Sequence, residues 1–426
     1  MISNRDIILI SSIDWDDQWQ APQEIASRLS KAGNRVLYLE NTGIRTPAFR
    51  DSRRIVRRLK HWTSALGERS IRTVLPQLWV HAPLVLPPFG STFRRSLNRH
   101  ILLRLVHRVV RDLGLHDPLI WVFLPTDTSL ALLDKMSSPK GRIIYYRAAD
   151  FAHLTTSVQK LERNETELLK RSDVVFAICE KLAAGCRPWN QNVHVFPYGV
   201  NLKAFALGNS VSGRAGERFS WSKEPGNNGR TSHKVIGYVG GLHRHVDIDL
   251  LISMARARAD WSWVFVGACE IPLKGLVELP NVYVLGQRAH SDLKHYISSF
   301  DVCIVPYRRS AYTATVVPSK INEYLAMGKP VVCTDLPPVC DFNDKHQILI
   351  TAEGRTDNFL EAIDDALNIR DDVTLISRRR EVARLADWMQ RLEAMSELIM
   401  SERQIKERRV TTSVSVATNN EIEVTA

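Results

Sequence analysis

No run of about 18 apolar, uncharged residues occurs in the 426-residue sequence, so a membrane-spanning helix is not expected. The N-terminus, MISNRDIILISSIDWDD, has a short apolar stretch broken by charge and no small-residue cleavage site. It reads as a first β-strand and not as a secretory signal, which places the protein in the cytoplasm. The six cysteines (Cys179, Cys186, Cys269, Cys303, Cys333 and Cys340) form no CxxC pair, and several sit in apolar runs such as DVCIVP and PVVCT. Buried, reduced thiols are the expectation, and neither Cys nor His shows metal-ligand spacing. The first strand runs into SSIDWDDQWQ without a glycine, so the G-x-G-x-x-G turn of a dinucleotide oxidoreductase is missing. Neither a metal nor a redox cofactor is expected.

What is present is an ordinary globular composition, 44% hydrophobic and 24% charged, over a length that suits two domains of roughly 150–200 residues. The formal net charge is +11, from 57 basic and 46 acidic residues, and the excess is uneven. Nine basic residues lie between Arg45 and Arg72, among them Arg53, Arg54, Arg57, Arg58 and Lys60, against Asp51 and Glu68. A second stretch, STFRRSLNRHILLRLVHRVVRDLG, carries Arg94, Arg95, Arg99, Arg104, Arg108 and Arg111. Its Phe93, Leu97, Ile101, Leu105 and Val109 recur every four residues, the pattern of an amphipathic basic helix. No nucleic-acid recognition motif accompanies the charge, so nucleic acid is not expected as a partner. A face for anionic lipid or a lipid-diphosphate acceptor fits better, and a solvated basic face on a packed helix is the plainer alternative. The first reading makes the protein peripheral at the inner face of the cell membrane.

Thirteen strand signals organise the chain, most of them short continuous apolar runs, as expected for parallel strands buried on both faces. DIILISS, RVLYLE, LWVHAP, PLIWVFLP, RIIYYR, DVVFAIC and VHVFP lie in the first half. KVIGYVG, WVFVG, NVYVLG, DVCIVP, KPVVCT and QILI lie in the second. Helical segments such as APQEIASRLSKAG and IDLLISMARARAD alternate with them, which predicts an α/β fold of two doubly wound, Rossmann-like domains. The expected boundaries are 1–205 for the first domain and 234–385 for the second. Residues 206–233, rich in Gly, Ser and Asn, form a linker or loop; 386–400 is a last helix, and 401–426 a disordered polar tail.

The second half opens on KVIGYV, Gly240, Gly241, Leu242, His243 and Arg244, then VDIDLLISMA. Two glycines at a strand-to-helix turn let backbone N–H groups approach an anion, and Arg244 can add a charge-assisted bond to a diphosphate. A plain tight turn would look the same. In VPYRRSAYTATVVPSKINEYLAMGKPVVCT, Ser319 is placed to cap a short helix, Gly328 to end it, and Pro330 lies just beyond. Lys320 then stands at the first helical position, where a cation gains nothing from the helix dipole unless an anion sits between them. Glu323 follows on the same face, where a carboxylate can accept both hydroxyls of a ribose. The plainer readings are a surface lysine and a first-turn acid.

These blocks, with WQAPQEIASRLSKAGNRVLYLEN, FPYGVNLKAF and NVYVLGQR, resemble in order the GT-B glycosyltransferases, and most nearly family 4 enzymes of the teichuronic-acid and exopolysaccharide type. The resemblance covers roughly Asp6 to Met400. It implies two facing Rossmann-like domains with a cleft between them, the C-terminal one holding a nucleotide-sugar donor and the N-terminal one the acceptor, without a metal. Many family members carry two glutamates with seven residues between them. Glu323 matches the second, but Thr315 occupies the first position, which leaves the stereochemical outcome open.

A second resemblance, of IIYYRAADF to the Tyr-Arg-Ala-Ser-Asp stretch of xanthan-type glucuronosyltransferases, implies that Asp150 is the base of an inverting transfer. In that type a lysine matching Lys320 contacts the diphosphate, and a tyrosine matching Tyr307 lies near the base. Asp150 also stands just past a strand end, where α/β sheets place ligands, and a helix N-cap is its plainer reading. The resemblance implies a hexosyltransferase-like enzyme of bacterial cell-surface polysaccharide biosynthesis. Its acceptor is a hydroxyl on a lipid-linked or polysaccharide precursor. Two rivals are a sugar-nucleotide epimerase of the same fold and a non-catalytic partner subunit. Thr315 and the absence of a second acid at Ala149 keep the latter open, and the basic amphipathic segments argue mildly against the former.

Overall fold

The structure, a computed structural model, describes residues 1–17, 19–40, 71–82, 92–154, 157–205 and 234–401, with the backbone alone for 92–99 and 154. The segment 206–233, the tail beyond 401 and most of the basic stretch 45–72 lie outside the described residues.

The chain divides into two units, Met1–Phe196 with the chain from Met389 onward, and Pro197–Trp388. In the first unit eight strands form one sheet in the order β3-β4-β2-β1-β5-β6-β7-β8. They are β1 (Asp6–Ile10), β2 (Arg35–Leu39), β3 (Ile71–Leu75), β4 (Leu78–His81), β5 (Leu119–Val122), β6 (Arg142–Arg147), β7 (Val174–Ala177) and β8 (Val193–Val195). All neighbouring pairs are parallel except β3 with β4. The central strands are buried almost throughout, which explains their unbroken apolar sequence. The strand β3 was not expected. Its IRTVL lies at the end of a stretch dominated by arginine, and it closes a hairpin on the sheet edge.

Helices α1 (Ala21–Lys31), α2 (Thr92–Asp112), α3 (Asp127–Met136), α4 (Val158–Arg171) and α5 (Glu180–Cys186) connect these strands. On α2 the fully packed residues are Leu102, Val106 and Val109, while Ile101 and Leu105 are only half-buried. The packed stripe therefore keeps Val109 of the expected Ile101–Leu105–Val109 line and takes Leu102 and Val106 in place of Ile101 and Leu105. The sequence ILLRLVHRVV offers apolar side chains at too many adjacent positions for spacing to choose between registers. Arg104, His107, Arg108 and Arg111 point to solvent on the opposite side.

The second unit holds six parallel strands in the order β11-β10-β9-β12-β13-β14. They are β9 (Val235–Val239), β10 (Ser262–Val266), β11 (Val282–Val284), β12 (Val302–Val305), β13 (Val331–Thr334) and β14 (Ile350–Ala352). The last begins where the expected strand QILI ends. Its helices are α6 (Leu202–Phe205), α7 (Ile248–Ala257), α8 (Leu293–Ser299), α9 (Lys320–Ala326), α10 (Pro337–His346), α11 (Thr356–Asn368) and α12 (Val373–Leu385). Read outward from the first strand, both sheets follow the doubly wound scheme. The strand order reverses between β1 and β5 in one unit and between β9 and β12 in the other.

Both ends of the second unit differ from the expected boundaries at 205 and 385. The link from Pro197 belongs to it because Val200 N–H donates to Ala386 O at 2.8 Å and Trp388 N–H to Val200 O at 3.1 Å. Phe205 enters its core, and Asn322 Nδ2 donates to Tyr198 O at 3.0 Å. The last helix, 388–401, rejoins the first unit from Met389, with Leu392, Met395 and Ile399 buried. No described helix is long and apolar enough to cross a membrane.

Candidate functional site

In doubly wound sheets ligands bind beyond the carboxyl ends of the strands where the order reverses, which in the second unit is beyond β9 and β12. The chain leaving β9 does not enter a helix at once. Six residues, Leu242–Asp247, separate Gly241 from α7, which Asp247 caps by accepting Leu250 N–H at 3.2 Å. The helix thus starts two residues later than the expected segment VDIDLLISMA, and its N-terminus is six residues from the glycine pair. The intervening loop is instead laced to the chain leaving β12: Asp247 N–H donates to Pro306 O and Arg308 N–H to His245 O, both at 2.8 Å. Gly240 has φ +138, and a Cβ there would lie 2.7 Å from Lys320 Cε, so the position accepts a side chain only with strain.

Lys320 stands at the start of α9, and it is not an exposed surface lysine. Its Nζ donates to Tyr307 Oη at 2.6 Å and lies 4.9 Å from the centroids of both the Tyr307 and the Tyr238 rings. Two such ring faces hold an ammonium with about 0.5–2 kcal/mol each. Tyr238 Oη in turn donates to Gly241 O at 3.0 Å. The partners of Lys320 among the described residues are thus phenols and rings, and no carboxylate neutralises it. Beside it, burial first and then the charges of Lys320, His245 and Arg244 push the His243 imidazole down to about 4.

The other expected site residues fall around this centre. Arg244 is exposed and rests its Nε on His245 Nε2 at 3.1 Å. Glu323, half-buried one turn after Lys320, has Oε1 at 3.6 Å from His290 Nε2. Ser319 does not cap α9. Its backbone is already helical (φ −58, ψ −31), which leaves no extended residue from which a hydroxyl can turn back onto the helix. Gly328 ends the segment with φ +74, as expected. Thr315 is buried, with Oγ1 donating to Tyr312 O at 2.9 Å. His243, His245 and Tyr238 were not singled out in the sequence. All three lie in or beside the glycine turn, and a histidine on each side of Arg244 was the available signal.

In the first unit Asp150 follows β6. Its Oδ1 accepts Ala152 N–H at 3.2 Å at the start of the 3-10 turn Phe151–Leu154, and Oδ2 lies 3.6 Å from His153 Nε2. The capping geometry is therefore present, and the carboxylate keeps partial exposure. Beneath it Arg147 Nη2 donates to Glu165 Oε2 at 2.9 Å, and Tyr145 Oη donates to the other carboxylate oxygen at 2.5 Å. Burial still holds the Glu165 carboxyl above its ordinary range.

The loop after β1 gathers Asp14, Asp16 and Asp17 with Trp15, whose N–H donates to Glu40 Oε1 at 3.0 Å. Trp15 packs edge-on against Tyr38 and Trp19, with ring centroids at 5.0 and 5.6 Å. Asp14-Trp15-Asp16, beyond β1, has the Asp-x-Asp spacing that metal-dependent sugar-nucleotide enzymes commonly use, which stands against the expectation that no metal is needed. Asp14 is buried and Asp16 pairs with Arg72 at 3.0 Å. Among the described residues no three His, Cys, Asp or Glu side chains form a metal-holding group.

The sequence profile of the family described as Glycosyl transferases group 1 matches residues 233–368, the stretch that holds β9 to α11. TuaH of Bacillus subtilis (strain 168), a candidate teichuronic acid biosynthesis glycosyltransferase, is 28% identical over 236 residues. That alignment covers 53% of this chain and 56% of TuaH, so the chain spans just over half the length of this curated relative. The sucrose-phosphate synthase of Thermosynechococcus elongatus superposes with a TM-score of 0.68 at 16% identity, over 95% of this chain and 100% of that one. Anabaena Alr3699/HepE in complex with UDP gives 0.61 at 14% identity, over 93% and 100%. At these identities the likeness is one of fold, that of the GT-B glycosyltransferases with two Rossmann-like domains.

Proposed function

We propose, from the membership of residues 233–368 in the glycosyl transferases group 1 family, that this chain is a glycosyltransferase that uses a nucleoside-diphosphate sugar. The observation that carries the donor site is Lys320, an unneutralised cation clasped by Tyr238 and Tyr307 against Gly240, at the point where strand order reverses. Solved neighbours bound to UDP, to UDP and glucose, and to UDP-glucose support a nucleotide sugar as the donor.

In the reaction the bond between the anomeric carbon and the diphosphate oxygen breaks, and a bond to an acceptor hydroxyl forms. Negative charge grows on the departing diphosphate, where Lys320 and the exposed guanidinium of Arg244 stabilise it. Glu323 accepts ribose hydroxyls. In an inverting transfer Asp150 takes the acceptor proton, and Asp150 is otherwise the cap of its 3-10 turn. The acceptor is a hydroxyl of a lipid-linked or polysaccharide-precursor molecule, in keeping with the role in teichuronic acid biosynthesis given to TuaH. No cofactor is needed, because lysine and arginine neutralise the diphosphate. Activity is expected to survive EDTA, and a restorable requirement for manganese or magnesium would contradict that part of the reading.

The exposed Arg104, His107, Arg108 and Arg111 of α2 support peripheral attachment to an anionic membrane. Because Leu102, Val106 and Val109 are spent on the core, attachment there is electrostatic.

A panel of radiolabelled sugar nucleotides, incubated with the protein and bacterial membrane extract, tests the whole reading. Transfer of label into lipid or polysaccharide is the expected result. Release of an isomerised free sugar nucleotide would make the protein an epimerase, and no turnover of any donor would make it a non-catalytic subunit.

A further inference from the structure

His243 follows the glycine turn of the second unit and is half-buried. Its Nδ1 accepts the backbone N–H of His245 at 3.2 Å. A ring nitrogen that accepts an N–H carries no proton, so the neutral ring has its proton on Nε2. Burial, Lys320, His245 and Arg244 keep the ring neutral at pH 7. The second histidine of the loop is used differently: His245 Nε2 receives Arg244 Nε, and its ring stacks on Tyr312 at 4.4 Å. His243 Nε2–H has no such partner among the described residues.

The His243 ring lies 5.6 Å, centroid to centroid, from the ring of Tyr307, whose hydroxyl receives Lys320. A cation without a carboxylate and an N–H donor of fixed tautomer therefore share one small region. A packing histidine ordinarily spends both ring nitrogens on protein or water, since an unsatisfied donor costs free energy. A second cation at this place would be repelled by Lys320. A neutral N–H adds a directed bond to an anionic oxygen without that repulsion.

We infer that His243 is a binding residue of the donor site, its Nε2–H donating to a phosphate oxygen of the nucleoside diphosphate that Lys320 neutralises. The inference rests on the donor reading above and adds to it a specific contact from the loop after β9.

Calorimetric titration with uridine, guanosine and thymidine diphosphates identifies the tightest binder, which then serves as the probe. His243→Asn keeps a polar group near the Nδ1 position but cannot reach that of Nε2, whereas His243→Gln places an amide N–H near Nε2. Affinity for the probe is expected to fall roughly tenfold in His243→Asn and to stay within about threefold of wild type in His243→Gln. In the wild type, nitrogen-resolved NMR is expected to show the Nε2–H tautomer at pH 7, with that proton shifting on saturation by the probe. An Nδ1–H tautomer, an unmoved Nε2–H resonance, or unchanged affinity in His243→Asn overturns the inference while leaving the donor site standing. Failure of the wild type to bind any of the three diphosphates overturns the donor reading itself, and the His243 contact with it.

Discussion

The two units share the doubly wound scheme, with eight strands in one sheet and six in the other, and differ in the chemistry at the carboxyl edge of their sheets. Beyond β1 and β2 the first unit collects Asp14, Asp16, Asp17 and Glu40 around Trp15 and Tyr38, and beyond β6 it places Asp150 beside His153. Beyond β9 and β12 the second collects Lys320, Arg244, His243 and His245, with Arg308 and Arg309 paired to Asp249 and Asp335. The surroundings of one half-buried titratable group on each side act in opposite senses. Burial and then neighbouring cations push His243 down to about 4. Burial pushes Glu40 above its ordinary value, opposed by the bond from Trp15 and reinforced by Asp14 and Asp16. One fold thus offers an edge hospitable to an anion and another inhospitable to one. Under the proposed function the diphosphate lies at the second unit's edge, and a hydroxyl that must lose a proton suits the edge of the first unit.

The sharpest way to break this comparison is Asp150→Asn. The amide oxygen can still accept Ala152 N–H, so stability should change little. Loss of the base should lower the transfer rate by about 10²–10⁴ with nucleotide affinity unchanged. Full activity in Asp150→Asn, measured by label transfer, would reduce Asp150 to its capping contact.

A smaller effect should appear in acid. The His243 pKa is lower in the folded protein than its ordinary 6.5, so folding favours the neutral ring. That contribution is fully present above about pH 6.5 and is lost as pH falls through about 4. Thermal unfolding followed from pH 7 to pH 4 should decline less in His243→Gln than in wild type. Parallel profiles would show that the ring is not held neutral.

The smallest effect per residue concerns α2, whose Arg104, Arg108 and Arg111 are exposed. Each contributes on the order of 1 kcal/mol near an anionic leaflet, and salt screens the attraction. Replacing Arg104, Arg108 and Arg111 by Ser should weaken flotation with anionic vesicles at low salt. Equal flotation by the variant would assign attachment to other residues, and no flotation of wild type would end the membrane reading.

Much of the fold was legible in the sequence because parallel strands buried on both faces must be continuously apolar, as in LIWV, VVFA and VCIV. Sheet order was not written there, since every such run looks alike. At the site, Lys320 and Glu323 stood out because their charges sit on a short helix bounded by Pro318 and Gly328. The cap at Ser319 failed because a serine before a helix is also free to be its first turn. His243 escaped notice because its value lies in a backbone N–H two residues on and in a cation 77 residues on, neither of which spacing reveals. The units' boundaries were displaced for a similar reason: the pairing of Val200 with Ala386 and Trp388 joins segments nearly 190 residues apart.

The central claim is that the second unit's edge binds the diphosphate of the donor. Calorimetric titration of the nucleoside diphosphates into wild type, Lys320→Ala and Glu323→Ala tests it most directly. Each variant is expected to remain folded and to lose about 1–3 kcal/mol of binding free energy, the range for a charged hydrogen bond. Undiminished affinity in both variants would contradict the account.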